Sequence, residues 1–169
     1  MNIYRLLDEE QIELDLRVEK PSENESENMS SDKYLWIIKK NILVKLVELL
    51  ENSDDVRNSN RLLTDLLNRE KRATTGIGQG IAIPHVRTIS VRKPVFALAR
   101  SKEGIEFGSI DGELTHLFFV LVAPSYEEDK YLKYYKRLAG LLQFQDFYKD
   151  IMNAENAGEI IRIIRMAEN

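Results

Sequence analysis

The amino-acid sequence predicts an α/β sandwich, on three observations. Leu117–Val122 (L-F-F-V-L-V) is continuously apolar, the pattern of a strand covered on both faces. Apolar residues recur at helical spacing in the chain before it, from Leu35 to Leu50, and after it, from Tyr131 to Leu142. The order is strand, two helices, several strands, then helices, with no internal repeat and no independent second core. At 169 residues, residues 1–169 are expected to form one domain with a sizeable core.

Ile3–Leu7 reads as a short helical turn. Ile12, Leu14, Leu16 and Val18 alternate with Glu13, Asp15 and Arg17, which predicts a strand with one buried face. Residues 19–32 (E-K-P-S-E-N-E-S-E-N-M-S-S-D) are acidic, rich in Ser and Asn and nearly free of apolar groups, so a mobile loop is expected there. Leu35, Ile38, Ile42, Leu46, Leu49 and Leu50 then predict an amphipathic helix from Lys33 to about Asn52, capped by Ser31 or Asp32. A second helix, capped by Asp54 or Asp55, would bury Val56, Leu62, Leu63, Leu66 and Leu67. It runs out into the basic cluster Arg69–Arg72, where cations suit a helix C-terminus.

The stretch Arg69–Arg87, R-E-K-R-A-T-T-G-I-G-Q-G-I-A-I-P-H-V-R, brings flexible backbone, cations and a histidine together. Gly76, Gly78 and Gly80 alternate through a loop, Ile81-Ala82-Ile83 form a short strand, and Pro84 ends that strand and presents His85. Glycines let backbone N–H groups approach an anion closely. A histidine fixed beside such a loop, with Arg69, Lys71, Arg72 and Arg87 near in sequence, suits phosphate held on imidazole. Pro94–Arg100 is a further strand, and Gly104–Gly108 and Asp111-Gly112 mark turns. Pro124 ends the buried strand. A helix over Glu127–Gln143 follows, then one or two more across Phe144–Met152 and Ala157–Met166.

Other chemistries fit poorly. A net charge of −4 argues against a nucleic-acid partner, and no apolar run reaches the roughly 18–20 residues of a membrane span. The N-terminal residues are too acidic for a signal peptide, and there is no cysteine, so a cytoplasmic protein is expected. The G-x-G-x-G run follows a charged helix and leads into a strand, the reverse of a dinucleotide-binding turn. Without G-K-[ST] it is not a P-loop. Two distant histidines make a poor metal site, so neither metal nor cofactor is expected. Asp54/Asp55 and Glu127/Glu128 read as helix-start residues and not as acid–base pairs.

The run T-G-I-G-Q-G-I-A-I-P-H (Thr75–His85) resembles the phosphorylation-site motif of IIA domains of the fructose/mannitol class in the bacterial phosphotransferase system. That family includes the nitrogen-regulatory IIA proteins. Ser101–Pro124 is similar to a second family block, in order and at a suitable distance, and the resemblance extends from about Ile3 to Asn169. It implies a three-layer α/β/α sandwich with a mixed β-sheet.

The resemblance also implies a reaction: His85 accepts a phosphoryl group from a histidine phosphocarrier protein (HPr-like). Arg69 would stabilise the transferring group, and Thr75, Gly76, Gly78, Gly80 and Tyr131 would complete the phosphoryl pocket. The group would pass to a IIB sugar-transport domain, or its presence would control a regulated target protein. Nothing in the chain resembles a transmembrane transport domain or a fused phosphocarrier, so the regulatory role is the expected one. The family usually places a second histidine early in the helix after A-P; here Tyr131 stands there, in E-E-D-K-Y-L-K. A phenol donates a hydrogen bond but takes on no positive charge. The alternative is therefore a regulatory binding module that is not phosphorylated. His116 aligns with a framework position.

Overall fold

The computed structural model describes all residues, 1–169. Two 3-10 turns, Ile3–Leu6 and Glu9–Gln11, lead into β1 (Ile12–Glu13), a one-turn helix α1 (Glu23–Ser26), α2 (Ser31–Leu50) and α3 (Ser59–Arg72). The strands β2 (Gly76–Gly78), β3 (Ile81–Ala82), β4 (His85–Thr88), β5 (Val95–Ile105) and β6 (Thr115–Pro124) follow. Three helices close the chain: α4 (Glu128–Leu141), α5 (Gln145–Asn153) and α6 (Ala157–Glu168).

The strands form one sheet in the order β1-β5-β6-β3-β2, with β4 also paired to β6. β5 and β6 are antiparallel, as are β2 and β3; β1 runs parallel to β5, and β3 and β4 run parallel to β6. The sheet is therefore mixed. Because side chains alternate across a strand, β5 and β6 serve two cores at once. Ala97, Ala99, Phe118 and Val120 face α2 and α3, where Ile42, Leu46, Leu62 and Leu66 are buried. Phe96, Leu98, Phe119 and Leu121 face the other way, onto Leu138, Ile151, Ile160 and Ile164 of α4, α5 and α6. The three layers follow from that alternation. No helix is long and apolar enough to cross a membrane.

Two charged side chains tie the second core together. Arg100, 3% exposed, donates to the carbonyls of Leu14, Ile151, Met152 and Ala154 and so caps the C-terminal end of α5. The Glu168 carboxylate accepts from the N–H groups of Ile3 (2.7 Å) and Tyr4 (3.0 Å) and from Arg137 Nε (3.0 Å).

Several element boundaries depart from the sequence-based expectation. Ile12 and Leu16 are both buried, but Ile12 and Leu14 pack into the second core and Leu16 and Val18 into the first, so Ile12–Val18 is not a strand with one buried face. Only Ile12–Glu13 joins the ladder, and Leu16 N–H makes one further bond, to Arg100 O. The acidic 19–32 segment contains α1, capped by the Ser22 hydroxyl. Ser30, not Ser31 or Asp32, caps α2 by accepting from Lys33 N–H. Asp54 and Asp55 precede an isolated bridge between Val56 and Val91, and Asn58 caps α3 instead. Glu127 precedes α4 and is engaged with Lys130 at 2.7 Å.

Candidate active site

The site forms where β4, the end of α3 and the face of α4 meet. Ile81 and Ala82 pair with Leu117 and Phe118 of β6. The pairing is interrupted at Ile83-Pro84, where Pro84 O still accepts from Leu121 N–H, and resumes in the same register with His85 opposite Leu121. Proline has no N–H to contribute, so the break falls where a donor is dispensable. In the break, Ile83 N–H donates to Thr75 O (2.9 Å), and the carbonyl of the same residue lies 2.6 Å from His85 Nδ1. A carbonyl only accepts, so Nδ1 carries the proton and Nε2 keeps its lone pair.

Two tyrosines line the imidazole. Tyr131 and Tyr135 stand four residues apart on α4 and share a helix face. Their ring centroids lie 6.0 Å and 4.9 Å from that of His85. Burial pushes the pKa of His85 below its ordinary value; the hydrogen bond to the Ile83 carbonyl pulls part of the way back, and the charge of Arg69 lowers it again. The ring is therefore neutral at pH 7. Burial pushes Tyr131 up to about 12, against the pull of Arg69 and Arg87, so its O–H stays a donor. Arg69 also donates to Ala73 O (3.0 Å), folding back over the last turn of α3. Arg87 lies 3.5 Å from Glu128. Lys71 and Arg72 are exposed, as expected of a solvated helix end.

Behind this face lies a buried charged group that the sequence reading missed. Glu70 Oε1 accepts from Lys39 Nζ (2.7 Å) and Thr75 N–H (3.0 Å), and Oε2 accepts from the Thr75 hydroxyl (2.5 Å). Lys39 also donates to Thr74 Oγ1, which accepts from Gly76 N–H as well.

The structure places the expected pocket residues unequally. His85, Arg69 and Tyr131 come together. Thr75 is tied to this group only through Ile83, whose N–H its carbonyl accepts; its hydroxyl and N–H go to Glu70, and Gly76 N–H is taken by Thr74. Gly78 and Gly80 are not brought to His85. They form the tip of the β2–β3 hairpin, and the register separates Ile81 from His85 by four residues of β6, about 13 Å at strand rise. The N–H of Gln79 between them already donates to Asp111 Oδ2 (2.9 Å). Glycine is needed there for conformation: φ is +95° at Gly78 and +79° at Gly80. His116 lies beside Gly80 and Gly104, with Nδ1 3.0 Å from Ser101 O, and takes no part in the site.

Tyr135 was also missed, although its i+4 spacing from Tyr131 was a usable signal. Glu70 and Lys39 gave none: Glu70 sits between Arg69 and Lys71 and Lys39 beside Lys40, and such charges read as solvated.

The sequence model of the phosphoenolpyruvate-dependent sugar phosphotransferase system, EIIA 2 family, matches residues 37–167. The chain belongs to that family. This EIIA chain is 36% identical over 111 residues to the fructose-specific EIIA component of Haloferax volcanii, covering 66% of this chain and 72% of that one. It is 36% identical over 126 residues to the fructose-specific EIIABC component of Bacillus subtilis; those residues are 75% of this chain but span only 20% of that protein's length. The crystal structure of nitrogen regulatory protein IIA-Ntr from Neisseria meningitidis superposes on the EIIA fold with a TM-score of 0.79 at 27% identity, covering 96% of this chain and 98% of that one.

Proposed function

We propose that this EIIA chain accepts a phosphoryl group on Nε2 of His85 from a histidine-phosphorylated carrier protein of the HPr type. The observation that carries the reading is the 2.6 Å contact between His85 Nδ1 and Ile83 O, which fixes the proton on Nδ1 and leaves Nε2 as the nucleophile. The P–N bond to the carrier's imidazole breaks as the Nε2–P bond forms, and the electron pair returns to the carrier's ring. His85 keeps its Nδ1 proton on Ile83 O throughout and takes on imidazolium character. Phosphoryl transfer asks mainly for in-line positioning and stabilisation of the equatorial oxygens. Arg69 is assigned that electrostatic role, and the Tyr131 O–H is a further donor.

Two outlets are supported by relatives. The mannitol IIA of Escherichia coli, 18% identical, has been solved in complex with phosphorylated enzyme IIB. That supports a IIB domain as acceptor. The likeness to a nitrogen regulatory IIA supports a second outlet, control of a target protein by phosphorylation state. Phosphorylation adds about −1.5 to −2 charges beside His85, enough to switch an interface.

Tyr131 favours one other reading. Where the family usually has a second histidine, this site holds a phenol with its pKa pushed up to about 12, which cannot become cationic. On that reading the surface around His85 docks partners without being phosphorylated. Phosphate incorporation from a phosphorylated carrier separates the two. Acid-labile label on the wild type that disappears in His85→Ala supports the phosphoacceptor. Label absent from the wild type but present in Tyr131→His supports the docking module.

A further inference from the structure

We infer that Glu70, held by Lys39, is a positioning residue for His85, acting through Thr75 and Ile83 to fix which imidazole nitrogen is free. This rests on the reading of His85 as the nucleophile. Glu70 touches no reacting atom; its effect passes along a short chain of hydrogen bonds. The carboxylate holds Thr75 by both its N–H (3.0 Å) and its hydroxyl (2.5 Å). Thr75 O then accepts from Ile83 N–H (2.9 Å), and Ile83 O receives the Nδ1 proton of His85 (2.6 Å). Both ends of the Ile83 residue are thus committed, one to the anchor and one to the nucleophile.

The cost of this arrangement argues that it does more than stabilise. The Glu70 and Lys39 side chains are 1% and 9% exposed. Removing two charges from water is expensive, and well-packed apolar residues often serve stability as well or better. An apolar residue at position 70, however, would leave Thr75 N–H without an acceptor. Thr75 would then be free to shift, and the 83–85 segment with it. The histidine would keep its place on β4, but the carbonyl that selects its tautomer would not.

The test compares two double variants of the full chain. In Lys39→Met/Glu70→Gln the charges go but the amide still accepts from Thr75 N–H and donates to its hydroxyl. In Lys39→Met/Glu70→Leu the volume is kept and the acceptors are lost. Ring ¹⁵N shifts of His85 report the tautomer without any phosphate. The wild type and the Gln variant are expected to hold a single Nδ1–H form. The Leu variant is expected to mix in the Nε2–H form, with phosphorylation from the carrier slowed about 100-fold, the scale of a misplacement of about 1 Å. A single Nδ1–H form and an unslowed rate in the Leu variant would overturn the inference. Should that variant not fold, Thr75→Val removes one of the two anchors, and wild-type tautomer and rate there overturn it equally. A tautomer shift in a protein whose wild type takes up no label would support the positioning role and count against the phosphoacceptor instead.

Discussion

Tyr135, not Tyr131, is the aromatic nearest His85, with ring centroids 4.9 Å apart at an interplanar angle of 55°. The contact shields one side of an imidazole whose pKa is lowered chiefly by burial. Tyr135→Ala should therefore admit water and raise the His85 pKa towards its ordinary value. An NMR titration of the ring C–H signals measures this; an unchanged pKa would mean that the shielding comes from elsewhere.

The same burial links His85 to acid stability. Its folded pKa lies below the ordinary value of 6.5, so between the two the unfolded chain binds a proton that the folded chain refuses. Stability is fully present above about pH 6.5 and declines as pH falls towards the folded value. Urea midpoints taken from pH 7.5 downwards should fall through that window, and fall less in His85→Gln. Equal slopes in the two proteins would assign the loss to other groups.

Arg100 gives a stability prediction remote from the site. Its guanidinium serves four carbonyls, three of them at the end of α5. Arg100→Met should cost about 3 kcal/mol, the scale of losing charged hydrogen bonds in a buried place. For a chain of this size that is a fall in melting temperature of about 6–12 °C. Arg100→Lys should recover only part, because three carbonyls share one guanidinium nitrogen, and an ammonium placed there leaves Leu14 O without the donor that Nε supplies. Full recovery by lysine would show that charge, and not fork geometry, matters.

The hairpin tip offers a paired test. A Cβ on Gly80 would lie 2.7 Å from the Tyr148 hydroxyl oxygen, at a φ of +79°. Gly80→Ala should destabilise by the left-handed backbone cost of about 1–2 kcal/mol plus the clash. Adding Tyr148→Phe removes the colliding oxygen and should return part of that loss, leaving the backbone part. Chemical denaturation of the single and double variants measures both, and strict additivity would exclude the clash.

The legible parts of this protein were those decided by one-dimensional pattern. The run Leu117–Val122 read as a doubly covered strand because both of its faces meet apolar layers. The histidine motif stood out because proline and glycine punctuate it. What escaped depended on which partner a residue finds across the fold. Ile12, Leu14, Leu16 and Val18 follow period two, yet they divide between opposite cores, and β5 offers a ladder only to the first two residues of that run. Gly78 and Gly80 are near His85 in sequence, but an extended chain carries them away from it. Glu70 sits between two cations in R-E-K, which looks solvated until α3 is seen turning that one residue onto Lys39. Tyr135 falls at the apolar period of its helix and so reads as core, until the fold brings His85 against it.

The carboxylate of Glu168, gripping the N–H groups of Ile3 and Tyr4, has a topological consequence. It makes a seam between segments 165 positions apart, so the path of the backbone is almost a ring. A ring has no privileged opening. Bridged across that seam by a short flexible linker and cut within the acidic 19–32 segment, the chain would keep every strand pairing and both cores. The order in which the layers are written would change, and the sheet would not.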